Sequence, residues 1–344
     1  MNHPIIELLS RALDARAGLF DERHETAFRL FNGFTEGQPQ LAVDLYARTL
    51  VLHDYSEISI MQGQGQGQEG QSAVAAAEQF YQSRLPWISA ALLKSRQSAN
   101  PEDRTGRLVT GSSPTHKVRE NGIWYAVDLT MNRDAGLYLD TRNLRAWELS
   151  NLAGARVLNT FAYTGSLGVA AKAAGASRVV HLDLNRTFLN VAKTSYTLNG
   201  FPIVKSDFLT GDFWSRIGGL IRNRELFDCV LLDPPFFAAT KKGVVDMEKN
   251  YARLINKVRP LIAHGGRLIA VNNAVYVSGA EYLKTLEALC EDGYLTIEEL
   301  IPVAEDFAGY PTTRVEREMI DPAPFNHSTK IAILRVRRKD AKTA

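Results

Sequence analysis

The sequence of 344 residues holds only two cysteines, Cys229 and Cys290, without paired metal-ligand spacing, which excludes a disulfide framework and argues against a zinc site. Its seven histidines are scattered, so no metal is expected. Long apolar runs are missing although hydrophobic residues make up 45% of the chain, a combination that predicts a soluble globular protein with no membrane span. Met1 to Leu13 carries acidic Glu7 and only a short apolar patch, unlike a secretory signal, and the expected location is the cytoplasm. An excess of one charge is missing too. With 40 basic and 38 acidic residues the formal charge is +2, so any phosphate-binding face must be local.

What is present begins with one low-complexity tract, Gln62 to Gln71, whose glycines and glutamines predict a mobile loop. Before it, Phe28 to Phe31, Leu41 to Tyr46 and Leu50 to His53 read as strands separated by turn residues. After it, Ser72 to Tyr81 and Ser89 to Arg96 read as helices, which gives a small α+β domain over residues 1–115. Lys117 to Met131 has two β-type runs around Glu120-Asn121-Gly122, a hairpin signature, and residues 116–135 are expected to connect two domains. From residue 136 to 344 strands alternate with helices, the pattern of an α/β fold with a doubly wound parallel sheet and its ligand cleft at the carboxyl ends of the strands. Leu295 to Val303 and Lys330 to Val336 are expected to complete that sheet as an antiparallel pair.

The densest chemistry lies in two stretches of this second part. Arg156 to Asn159 is an apolar β-type run that breaks into Tyr163-Thr164-Gly165-Ser166 and then an alanine-rich helix. Glycine there lets backbone approach a ligand, and the helix start offers unpaired N–H groups. The next run, Arg178 to Leu182, ends in Asp183, about twenty residues after the glycine, where a carboxylate can hold ribose hydroxyls. Asp207 is placed where the following short strand, 202–206, would end. Val230 to Leu232 leads into Asp233-Pro234-Pro235-Phe236. Two prolines stop the strand and leave carbonyls facing the cleft, while Phe236 offers a flat face on which a heterocycle can stack.

On these residues the chain resembles the bacterial large-subunit (23S) ribosomal RNA methyltransferases that include the cytosine-5 enzymes and the guanine-N7 domain of a bifunctional enzyme. The marks are Leu30 to Leu45, Gly136-Leu137-Tyr138-Leu139-Asp140-Thr141-Arg142, Asn159 to Gly165, and Asp233 to Phe236. The resemblance implies a Rossmann-like class I fold and S-adenosylmethionine (SAM) as cofactor. It places SAM contacts on Tyr138, Asp140, Arg142, Phe161, Tyr163, Thr164, Gly165, Asp183 and Asp207, the last beside the adenine. The residue types of Asp233, Pro234, Pro235, Phe236 and Asn272 set these at the acceptor.

Two departures narrow the chemistry. The cytosine-5 members begin with an RNA-binding PUA domain, whereas this sequence starts at what would be their second domain. They also carry a nucleophilic cysteine in the turn that here reads Val271-Asn272-Asn273-Ala274. Methylating carbon 5 of cytosine needs a thiolate adduct at carbon 6, and Cys229 in a strand and Cys290 in a helix are both expected to be inert. Asn272-Asn273 matches the guanine-N7 domain, and the pair either orients an acceptor or makes a turn. Lys241-Lys242 and Arg335 to Lys339 touch RNA or are solvated. Trp124 and Tyr125 stack on bases or pack, and Asp306 to Arg314 is a lid or a connecting loop.

The expectation is therefore a SAM-dependent methyltransferase that N-methylates an rRNA base. The alternatives are an N- or O-methyltransferase with a small-molecule acceptor and a non-catalytic RNA-binding protein.

Overall fold

A computed structural model describes residues 3–56, 66–315 and 321–339, with residues 66–72 described by their backbone alone. The chain divides into two compact units, one of Met1–Leu139 with Ala304–Glu318 and one of Asp140–Val303 with Met319–Ala344.

In the first unit β1 (Ala27–Asn32), β2 (Leu41–Tyr46), β3 (Thr49–Asp54), β4 (Ala90–Ser95) and β5 (Arg107–Thr110) lie in that order. All neighbours are antiparallel except β3 and β4, which the helix Gln66–Arg84 separates in sequence, as a parallel connection requires. The helix Ile5–Ala15 buries Ile5, Leu9, Ala12 and Leu13, the one-sided spacing of an amphipathic helix. They pack with Phe28, Leu30, Val43 and Leu45 in one core.

Three expectations are corrected here. Ser89 to Arg96 is not helical but contains β4, because Ala90, Ala91 and Leu92 are fully buried between β3 and β5. Of the glycine-glutamine tract, Gln62–Gly65 lie outside the described residues, and from Gln66 it is helix rather than loop, in keeping with the helix propensity of glutamine. The boundary falls after Leu139 rather than at 115 and 135. The hairpin of β6 (Lys117–Glu120) and β7 (Ile123–Ala126) is bound to the first unit by Arg119 N–H donating to the Glu25 carbonyl at 2.7 Å. Farther on, buried Lys94 donates to the carbonyls of Asn132 and Asp134, and the Tyr46 hydroxyl to that of Leu137.

Residues 304–318 also belong to the first unit. The Asp306 carboxylate accepts from Arg29 N–H at 2.9 Å, the Phe307 carbonyl accepts from the Asn32 amide at 2.6 Å, and Thr313 donates to Glu36. Glu36 is in turn gripped by buried Arg16 through two hydrogen bonds of 2.8 and 3.1 Å. The segment is thus wired into that unit's buried ionic network.

The second unit is a seven-stranded sheet of β8 (Arg156–Thr160), β9 (Arg178–Asp183), β10 (Phe208–Thr210), β11 (Phe227–Leu232), β14 (Ile262–Asn272), β15 (Leu295–Ile301) and β16 (Lys330–Val336), ordered β10-β9-β8-β11-β14-β16-β15. The strands from β10 to β14 run parallel, and β16 is antiparallel to both of its neighbours, so the expected closing pair is present. Alternate residues divide between the faces. Leu158, Val230, Leu232 and Leu268 join one core, and Val157, Leu231 and Ile269 join the other, as a sheet covered on both sides requires. A separate hairpin, β12 (Phe237–Thr240) and β13 (Gly243–Asp246), follows β11.

Candidate active site

Chain order reverses between β8 and β11. Strands added after β8 lie on one side (β9, β10), while β11 and β14 lie on the other, so the crevice of a doubly wound sheet opens above the ends of β8 and β11. Register brings those ends level: Thr160 pairs with Leu182 and Leu232, Leu232 with Ala270, and Asp183 with Thr210.

The turn beyond β8 is built from unusual backbone. Phe161, Tyr163 and Gly165 all take positive φ, at 52°, 50° and 80°, and left-handed geometry in a non-glycine residue persists only where its surroundings hold it. Here Ala162 N–H donates to the Leu182 carbonyl at 2.9 Å, Tyr163 N–H to Asp183 Oδ2 at 2.8 Å, and Gly165 N–H to the Ala162 carbonyl at 2.7 Å. Asp183 Oδ1 accepts from Asn185 N–H at 2.8 Å. Burial pushes the Asp183 carboxyl above its ordinary range against the pull of those N–H groups.

The helix Ser166–Ala173 then starts without a side-chain cap, which leaves its N-terminal end open at the crevice. A Cβ on Gly168 would stand 2.3 Å from His181 Cε1, so glycine is needed for this helix to lie against β9. His181 is held below by the Tyr196 hydroxyl at 3.0 Å and by stacking on Phe208. Burial drives its pKa down to about 3, so the ring is neutral. Thr164 is buried in the same turn.

Across the crevice, Asp233 follows β11, half-buried. Its carboxyl is pushed up to about 7, by burial first and by the negative charge of Asp140 second. Asp140 is anchored by a 2.7 Å hydrogen bond from Thr329, and Arg142 opens the helix Arg142–Asn151. Tyr138 falls in the first unit, where its hydroxyl donates to Asp134. Pro234 is buried and Pro235 exposed. Phe236 is 42% exposed, and its ring meets that of Tyr276, 79% exposed, edge-on at 6.3 Å. Buried Asn272 ends β14, and its Oδ1 accepts from Ala274 N–H at 2.9 Å. Asn272 thus makes the turn that follows β14. Lys241 and Lys242 are exposed in the turn of the β12–β13 hairpin.

One expected residue is misplaced. Asp207 lies in a 3-10 turn before β10, not after it, and pairs with Arg178, the first residue of β9, at 2.9 Å. The run Ile203-Val204 that suggested a strand is exposed, and the strand is Phe208–Thr210. The acid at its carboxyl end is Asp212, which sequence reasoning missed. Its Oδ1 caps the helix Phe213–Arg222 through Ser215 N–H, and its Oδ2 accepts from Thr240 at 2.6 Å. Phe213 stacks on Phe161 at 4.6 Å. The sequence signal was Gly211-Asp212-Phe213, a glycine and helix cap straight after an apolar run. Tyr276 was the second omission.

Among the described residues no group of three or more His, Cys, Asp or Glu stands together to hold a metal ion, and no helix is long and apolar enough to cross a membrane. The crevice instead suits a nucleoside-like group that carries both charges. It offers the carboxylate of Asp183, an open helix start that favours a negatively charged group, and Asp233, which accepts no hydrogen bond from a described residue.

The sequence pattern of the family described as S-adenosylmethionine-dependent methyltransferase matches residues 60–307, and the chain belongs to that family. It is a SAM-dependent methyltransferase of Rossmann-like class I fold. Ribosomal RNA large subunit methyltransferase I of Aeromonas salmonicida (strain A449) is 30% identical over 263 residues, covering 76% of this chain and 64% of that protein. YwbD of Bacillus subtilis (strain 168), provisionally named a ribosomal RNA large subunit methyltransferase, is 28% identical over 329 residues, covering 95% and 78%. The crystal structure of SMU.776 complexed with SAH superposes with a TM-score of 0.80 at 23% identity, over 96% of this chain and 81% of that one, a likeness of fold.

Proposed function

We propose that the chain transfers the methyl group of SAM to a ring or exocyclic nitrogen of a base in large-subunit ribosomal RNA, in the cytoplasm. The observation that carries this reading is the pair of exposed rings, Phe236 and Tyr276, beside half-buried Asp233 at the ends of β11 and β14. An aromatic pair open to solvent suits an extruded base that stacks and presents its edge to polar groups. A closed apolar pocket would suit a small acceptor. The exposed Lys241-Lys242 turn and the names of the relatives point the same way.

SAM supplies an electrophilic methyl carbon, so the protein's share is alignment, exclusion of water and care of one proton. In this reading Asp183 and the Phe161–Gly165 turn hold the nucleoside part, with Asp212 rather than Asp207 near the adenine. Asp233 accepts an N–H of the base and, with a pKa of about 7, takes the proton that an exocyclic amine must lose. The Asn272 amide donates to the base. Carbon methylation lacks its nucleophile. Cys229 is buried within β11 and Cys290 half-buried in the helix Gly279–Cys290, and burial pushes both thiols up, away from the reactive thiolate.

The test is nucleoside mass spectrometry of ribosomal RNA from cells with and without the gene. Loss of an N-methylated guanine or adenine is expected. Loss of 5-methylcytosine would overturn the cysteine argument, and unchanged rRNA would leave a small-molecule acceptor as the better reading.

A further inference from the structure

The first unit holds a cleft of about 310 Å³ lined by Arg23, His24, Glu25, Arg48, Lys117 and Trp124, among others. Four separate pieces of chain build it: the loop before β1, the β2–β3 turn, the start of β6, and β7. Their backbones are fastened together. Ala47 N–H donates to the Thr26 carbonyl at 2.8 Å, Ser89 N–H to that of Arg48 at 2.9 Å, and Thr115 N–H to the Thr49 hydroxyl at 2.8 Å. The Asp21 carboxylate gathers the N–H groups of Arg23, Glu25 and Thr26 and is held below its ordinary range by them. His24 and Ala47, both lining the cleft, hold positive φ of 56° and 51°. Ala47 does so in the two-residue turn between β2 and β3, where hairpin geometry calls for it, and His24 does so in the loop that Asp21 ties together.

The charges of the lining are one-sided. Arg23 and Arg48 are exposed, and Lys117 Nζ stands 4.3 Å from the centre of the Trp124 ring. The one acid, Glu25, faces Arg119 at 3.5 Å, so its charge is largely offset. His24 stacks flat on Trp87 at 4.0 Å, and its Nδ1 is shielded from solvent without a partner among the described residues. A preformed concavity with excess positive charge beside an aromatic ring suits the anionic sugar-phosphate backbone of a nucleic acid.

We propose that this cleft binds the phosphodiester backbone of the RNA acceptor, an inference that rests on the RNA reading above. The site shares no lining residue with the SAM crevice and reads no base. Its contribution is to affinity and its salt dependence, not to cofactor binding.

The test compares the full chain with the double variant Arg23→Ala/Arg48→Ala, using a fluorescein-labelled single-stranded RNA of roughly 15 nucleotides and anisotropy titrations over a range of salt. Each backbone contact in single-stranded RNA contributes a slope of about 0.7 in log K against log salt, so loss of two lowers the slope by about 1.4. SAM affinity is expected to stay unchanged, and Arg23→Lys/Arg48→Lys to restore most of the slope. Wild type that binds RNA with the same slope and affinity as the alanine variant overturns the cleft alone. Wild type that neither binds the RNA nor methylates rRNA overturns the acceptor reading as well.

Discussion

Replacing Asp183 by alanine tests the centre of the crevice in two ways. Its carboxylate accepts from Tyr163 N–H and Asn185 N–H, both at 2.8 Å, and the first of these bonds holds a residue at φ 50°. Hydrogen bonds to a charged acceptor contribute about 1.5–3 kcal/mol each. The half-exposed site lets water reach the freed N–H groups, so the expected loss is about 2–4 kcal/mol of unfolding free energy rather than the full sum. Urea denaturation measures it. In the proposed reading the same substitution also removes the partner of the ribose hydroxyls, at about 1–3 kcal/mol, or roughly 5- to 150-fold in Kd for SAM by calorimetry. Asp183→Asn keeps one carbonyl oxygen and should lose about half as much stability. If the alanine variant unfolds and binds SAM like wild type, the carboxylate neither holds the turn nor meets the ribose. A loss of stability with unchanged affinity would refute the ribose contact alone.

Asp233, with a pKa of about 7, is ionised to roughly one-tenth at pH 6 and nine-tenths at pH 8. Single-turnover methylation of an exocyclic amine should rise across that range. Removing the neighbouring charge by Asp140→Asn should move the rise to lower pH, and a flat profile would remove Asp233 from the chemistry. Because the folded group ionises later than the unfolded one, its contribution to stability falls as pH rises from the ordinary aspartate range toward 7. Gly168→Ala would place a methyl 2.3 Å from His181, a ring fixed by Tyr196 and Phe208. Overpacking of this kind costs roughly 1–3 kcal/mol, and wild-type stability in urea would mean that the helix start is free to move. Phe236→Ala should leave SAM affinity intact while turnover on RNA drops by the roughly 1–3 kcal/mol of a stacked base. Normal turnover would rule out the stacking platform.

The parts of this site that sequence made legible are those written in contiguous residues. Arg156 to Gly168 shows its strand, turn and glycine directly, and Asn121-Gly122 marks a hairpin because both residues hold positive φ, 50° and 82°. Asp233 to Phe236 announces itself by two prolines after an apolar run. Ser89 to Arg96 was not legible, since a short alanine- and leucine-rich run suits a helix or a doubly covered strand equally well until β3 and β5 are placed beside it.

The displaced acid at β10 has a related cause. Ile203-Val204 is the more strand-like pair, yet it is exposed, and the sheet takes up the weaker three-residue run Phe208–Thr210 because that run pairs with His181 to Asp183. A strand that short carries almost no periodic signal, and sliding its end from 206 to 210 exchanges Asp207, tied to Arg178 at the start of β9, for Asp212 after the strand. Tyr276 lay farther out of reach. Nothing in Ala274 to Ser278 marks it, and its partner Phe236 is in another loop. The two meet only because β11 and β14 pair in parallel with Leu232 beside Ala270, so both chains leave the sheet at the same edge. An aromatic pair assembled in this way is a property of strand register, which no local run of residues encodes.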